Sequence, residues 1–108
     1  MYEIKAIVRR ERVPDVMTAL HARPDLPGVT ISHVEGVGRR SGSADAPEYG
    51  EVPMAKLETV VSDELASWVV DTIKRAAFTG RAGDGKIFVV RVEQAVQIRS
   101  GEEGPQVL

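Results

Sequence analysis

The sequence has 108 residues, long enough for one core of ordinary size and too short for two, so a single domain over 1–108 is expected. With 43% hydrophobic and 28% charged residues, the chain is neither disordered nor membrane-embedded in composition. A formal net charge of −2 without a basic run leaves no electrostatic footprint for nucleic acid or anionic lipid, and zero cysteines exclude disulfides, thiolate metal sites and cysteine nucleophiles. The start, Met1-Tyr2-Glu3-Ile4-Lys5, lacks the apolar core of a signal peptide, and no stretch approaches transmembrane length, so cytoplasmic residence is the expectation.

Along residues 2–10, Tyr2, Ile4, Ala6 and Val8 alternate with Glu3, Lys5 and Arg9, the period of a strand with one face on a core. Pro14 and Asp15 suit the first turn of a helix. Val13, Val16, Met17 and Leu20 continue it at three- and four-residue spacing to about Ala22. Pro24, Pro27 and Gly28 break that helix, and the β-branched residues of 29–37 give a second strand. Residues of about 39–54 contain two prolines, the small run Ser41-Gly42-Ser43-Ala44 and little periodicity, which predicts a long loop and the surface most suited to a partner protein. A third strand covers 54–61. Ser62 is a good N-cap with Asp63 and Glu64 at the positive end of a helix dipole, and Leu65, Trp68, Val69, Thr72, Ile73 and Ala76 hold one helical face to about Phe78. That spacing places Trp68 on the core stripe.

A fourth strand covers 86–92, followed by a semi-apolar segment to Ile98 and a polar tail over about 99–108. The order βαββαβ predicts an α+β, ferredoxin-like fold: a four-stranded antiparallel sheet with two helices on one face. The other face is left open, which favours oligomerisation.

Between the second helix and the last strand lies Thr79-Gly80-Arg81-Ala82-Gly83-Asp84-Gly85-Lys86. Its three glycines free the backbone for positive φ, so consecutive N–H groups can converge on an anion, with a lysine at the exit. Taken alone, such an octet is also compatible with a simple helix-to-strand turn. Gly36-Val37-Gly38-Arg39-Arg40-Ser41-Gly42 follows a strand, but its spacing is wrong for a dinucleotide fingerprint and no helical pattern follows. His21 and His33 have no carboxylate at ligand spacing, so no metal is expected. No motif nominates a catalytic nucleophile or poised base.

The octet with Ile87-Phe88 resembles the B-loop signature of the PII signal-transduction proteins. The likeness extends through Ile4-Lys5-Ala6-Ile7-Val8, Val29-Thr30-Ile31-Ser32, Gly36-Val37-Gly38-Arg39, Lys56-Leu57-Glu58, Asp71-Thr72-Ile73 and Ile98-Arg99-Ser100-Gly101-Glu102-Glu103. The resemblance implies a regulator, not an enzyme, that forms a homotrimer and binds AMP, ADP or ATP between subunits, with magnesium possible beside ATP. The nucleotide site it implies uses Thr30 near the adenine, Gly36, Val37, Gly38 and Arg39 at the root of the long loop, and Val60. Gly83, Asp84, Gly85 and Lys86 would meet the phosphates. Arg99 would come from the neighbouring subunit. The loop would act on a target such as a transporter or a protein of carbon or nitrogen metabolism, and a small-molecule second effector is possible.

Several positions depart from the nitrogen regulators of that family. The long loop is shorter, and Tyr49 is only a loose counterpart of the tyrosine that those regulators carry for uridylylation. Arg40 replaces a glutamine that helps hold metal and 2-oxoglutarate, Met54 stands where a phosphate-contacting lysine is usual, and Gln97 replaces the first of two arginines. These differences imply a divergent PII-like regulator. Two alternatives stand beside it: a slow nucleotide hydrolase that uses Asp84 or Glu58 to position water, and a trimeric interaction protein that has lost its nucleotide.

Overall fold

A computed structural model describes residues 1–40 and 48–108, and the side chains outside 39–50. Four strands, β1 (Tyr2–Arg9), β2 (Thr30–Arg40), β3 (Glu48–Val61) and β4 (Gly85–Arg91), form one antiparallel sheet in the order β2-β3-β1-β4. Two helices, α1 (Val13–Leu20) and α2 (Asp63–Ala77), complete the expected ferredoxin-like α+β arrangement.

The alternation read along β1 has a direct physical result. Ile4, Ala6 and Val8 are buried, and so are Ala55, Leu57 and Val61 on the same face of β3. They meet Val16 and Leu20 of α1 and Leu65, Ala66, Val69, Ile73 and Ala77 of α2. Full burial of each such Val, Ile or Leu stabilises by about 1.5–3 kcal/mol, before the entropy of ordering it is subtracted. Trp68 packs against this core from its rim, only partly buried, with the Arg23 guanidinium 5.2 Å from its ring centroid. Ser62 occupies the N-cap position in extended conformation, but its side chain makes no capping bond. Instead Asp63 accepts a hydrogen bond from the Met1 amine at 2.6 Å, and Arg12 donates to the Ala76 carbonyl at the far end of α2.

The long loop expected over about 39–54 is not what is observed on either side of its centre. β2 runs on to Arg40 and β3 begins at Glu48, with rungs at Gly36↔Val52, Val37↔Glu51, Gly38↔Gly50, Arg39↔Tyr49 and Arg40↔Glu48. Backbone pairing needs no apolar alternation, so the glycines and charges that obscured the pattern do not prevent a ladder. Pro53 falls one residue beyond Met54, the last β3 residue with a β1 partner, where strand β3 has a neighbour on one side only and tolerates proline. Residues 41–47 lie outside the described residues, as does the Tyr49 side chain. The expected polar tail also has structure: Val96 bridges Glu103, and a short 3-10 turn covers Pro105–Val107.

On the face of the sheet away from the helices, the register brings Glu3, Lys5, Ile7 and Arg9 of β1 beside Lys56, Glu58 and Val60 of β3 and Phe88 and Val90 of β4. Phe88 and Val90 are exposed.

Candidate functional site

The glycine-rich octet begins where α2 ends, at Phe78 in extended conformation, and it delivers the chain to β4. Gly80, Gly83 and Gly85 all have positive φ, at 83°, 90° and 104°, as the sequence led one to expect. The loop is built around one carboxylate. Asp84 accepts four hydrogen bonds: from the Thr79 N–H at 2.8 Å, the Gly80 N–H at 3.0 Å, the Thr79 hydroxyl, and Arg9 Nε at 2.9 Å. The Thr79 hydroxyl and amide, together with Arg9 and the Gly80 amide, hold the Asp84 carboxyl well below the usual carboxylate range. Arg9 Nη2 also donates to the Ala82 carbonyl at 2.7 Å, and the Arg81 N–H donates to Thr79 Oγ1 at 3.2 Å. Among the described residues, the N–H groups of Ala82 and Gly83 have no acceptor, and Lys86 is exposed without an ion-pair partner.

A cleft of about 820 Å³ opens between this octet and the root of the β2–β3 ribbon. Arg9, Gly36, Gly38, Met54, Gly83 and Lys86 are among the residues that line it. Met54 is buried, and Gly36 makes room for it: a Cβ at position 36 would lie 3.1 Å from Met54 Cγ. Chemically the cleft offers unengaged backbone donors, a lysine and an arginine, with an apolar floor. That combination suits an anion attached to a flat or apolar body.

Of the residues singled out in the sequence, Gly36, Val37, Gly38, Gly83, Asp84, Gly85 and Lys86 meet at this cleft. Thr30 and Val60 do not. They line a separate recess of about 420 Å³ with Glu3, Pro27 and Glu58, at the other end of the open face. Thr30 and Gly36 are six residues apart on β2, roughly 20 Å of extended chain. Arg99 sits on the short turn between Val96 and Glu103 and is not among the residues of either cavity. Arg39 lies on β2 opposite Tyr49, and its side chain lies outside the described residues. Sequence reasoning missed Arg9. The available signal was its place on the strand: β1 alternation puts it on the open face after Ile7, and antiparallel pairing sets Val8 against Gly85.

Residues 1–102 match the family model described as Nitrogen regulatory protein P-II. The chain belongs to the P-II family. Its relatives include the nitrogen regulatory protein P-II of Bradyrhizobium diazoefficiens, 40% identical over 109 aligned residues that cover 96% of each chain. The nitrogen regulatory protein P-II 1 of Escherichia coli is 41% identical over 108 residues, 95% of this chain and 96% of its own length. That of Azospirillum brasilense is 38% identical over 109 residues. Membership makes the protein a regulatory, signal-transduction chain, and the octet is the P-II stretch that first carried the resemblance. No helix among the described residues is long and apolar enough to cross a membrane, and none of them form a cluster of three or more metal-ligating side chains.

Proposed function

We propose that this P-II protein is a cytoplasmic sensor that binds AMP, ADP or ATP in clefts between the subunits of a homotrimer and controls a target protein through its β2–β3 ribbon. One observation carries the reading. Gly36 to Gly38 and Gly83 to Lys86 face a single cleft, and the octet is already folded there with amides and a lysine that no group among the described residues engages. A preformed donor set binds an anion without a further ordering cost, which is the energetic advantage of such a nest.

The trimer is supported by what one chain leaves apart. Thr30, which the resemblance puts near the adenine, together with Val60 and Arg99 lies away from the octet of the same chain, which favours a neighbouring copy completing the set. The exposed apolar side chains of Phe88 and Val90 on the open face also favour association. Nucleotide then acts by population shift, moving the ribbon only as far as it binds one ribbon state better than another. The target, such as a transporter or an enzyme of carbon or nitrogen metabolism, would read that state, alone or with a second small effector.

One observation weighs against the hydrolase alternative: Asp84, one of its two candidates, has its oxygens engaged inside the loop. Calorimetry with AMP, ADP and ATP, with and without magnesium, tests the proposal, alongside the mass of the particle in solution. Heat of binding to a trimer is expected. No heat with any nucleotide would leave an interaction protein without ligand.

A further inference from the structure

The octet contains one negative charge, and that charge lies beside the amides to which an anion would bind. Asp84 is two residues from Lys86 and lines the same cleft. Uncompensated, its carboxylate would oppose any phosphate. The group that compensates it comes from the far end of the sequence. Arg9 closes β1 with its side chain only 17% exposed, and its guanidinium reaches two different parts of the octet: Nε to Asp84 Oδ1 at 2.9 Å and Nη2 to the Ala82 carbonyl at 2.7 Å. A Cβ on Gly83 would come within 3.4 Å of Nη2, so the loop backbone passes close to the guanidinium.

A planar fork with donors in fixed relation sets the distance between its two acceptors, as a lysine cannot. We propose that Arg9 is the positioning residue of the octet: it holds the Asp84 carboxylate and the Ala82 carbonyl as a pair, keeps the neighbouring amides unengaged for a ligand anion, and cancels the charge that would repel one. The second tie to this loop, Arg81 to Glu11 at 2.8 Å, is exposed at both ends and contributes little to the arrangement. The part of the inference that concerns ligand affinity rests on the proposed nucleotide site; the part that concerns loop geometry does not.

The test uses the full chain with Arg9→Ala, Arg9→Lys, and Arg9→Ala combined with Asp84→Asn. Two quantities are read: hydrogen exchange of the Thr79 and Gly80 amides without ligand, and ADP affinity by calorimetry. In Arg9→Ala, exchange at those two amides should accelerate at least tenfold, with the Val69 and Ile73 amides unchanged, and ADP should bind at least tenfold more weakly. Arg9→Lys should fall between, since it restores charge without the fork. Adding Asp84→Asn to Arg9→Ala should recover several-fold in ADP affinity by removing the repelling charge, a reversal that a purely structural role would not give. Wild-type exchange rates in Arg9→Ala with ADP affinity within twofold would overturn the proposal. So would further weakening on adding Asp84→Asn. Should Arg9→Ala fail to fold, Arg9→Lys decides, and wild-type behaviour there refutes the fork. A wild-type chain that binds no nucleotide would refute the proposed function, while the exchange rates would still support or overturn the role of Arg9.

Discussion

Gly85 lies so close to Ile7 that a Cβ built on it would stand 1.7 Å from the Ile7 carbonyl oxygen. β4 enters the sheet here at φ 104°, and the two constraints coincide. Left-handed backbone at a non-glycine residue costs about 1–3 kcal/mol, and the overlap must be relieved by moving one strand. Gly85→Ala should therefore destabilise by about 3 kcal/mol or more in urea unfolding. At Gly38, where nothing among the described residues lies within 4 Å of the added carbon, the same change should cost under about 1 kcal/mol. Equal losses at the two positions would show that the start of β4 adjusts freely.

Asp84 gives the protein a pH dependence of defined sign. Its carboxyl is held below the usual range first by Thr79, then by Arg9 and Gly80, so the unfolded chain binds a proton there at higher pH than the folded one. The stabilisation is complete above the ordinary aspartate range, near pH 4–5, and is lost progressively as pH falls toward the depressed folded value. In Asp84→Asn, the decline of the urea midpoint on the acid side should be shallower, with the gap to wild type constant from pH 7 to about 5 and narrowing below. A gap that widens on acidification would contradict the arrangement.

Trp68 is a rim residue, partly buried against the core with the Arg23 guanidinium over its ring. Trp68→Ala should cost about 2–3 kcal/mol, below the 3–5 kcal/mol of a fully buried tryptophan. Arg23→Ala should cost at most about 1 kcal/mol and shift tryptophan emission to longer wavelength, because the guanidinium shields the ring. An emission maximum unchanged by Arg23→Ala would place the shielding elsewhere.

Within the proposed nucleotide site, Met54 bears on which nucleotide binds best. It lines the cleft as a buried apolar side chain at a position where the resemblance to the P-II nitrogen regulators implies a phosphate-contacting lysine, and Arg40 offers no acceptor oxygen for magnesium. AMP or ADP should bind more tightly than Mg-ATP, with little response to 2-oxoglutarate. Met54→Lys should improve Mg-ATP relative to ADP, and Lys86→Ala should weaken all three by about 1.5–3 kcal/mol. Dissociation constants at fixed magnesium check the ranking. Tightest binding of Mg-ATP by the wild type, tighter still with 2-oxoglutarate, would reverse it.

Local rules made the helices and the octet legible. The stripe of α2 and the glycines at 80, 83 and 85 are set by spacing and by φ, and both are properties of neighbouring residues. The ribbon was misread for the complementary reason: Gly36, Gly38 and Gly50 have no strand propensity, and what pairs them is the opposite strand rather than their own sequence. Arg9 was hidden by distance, since its partner Asp84 is 75 residues away and only the sheet register brings them together. Where the candidate residues lie relative to one another was not legible. The Thr30 end and the Gly83 end belong to opposite ends of one face, a separation that follows from strand length and becomes visible only once the strands are laid side by side.

Among the described residues, the ladder from Glu35↔Pro53 to Arg40↔Glu48 has no third strand beside it, because β1 ends at Arg9 opposite Met54. An isolated two-stranded hairpin is marginal in water, so these rungs open at a small fraction of the global unfolding free energy. Opening there leaves the core intact, and a substitution at the outer rungs Arg39↔Tyr49 and Arg40↔Glu48 has little leverage on folding. Those rungs can therefore change in sequence at little risk to the fold that carries them, whereas Val37, Gly38 and Val52 are tied to the cleft they line.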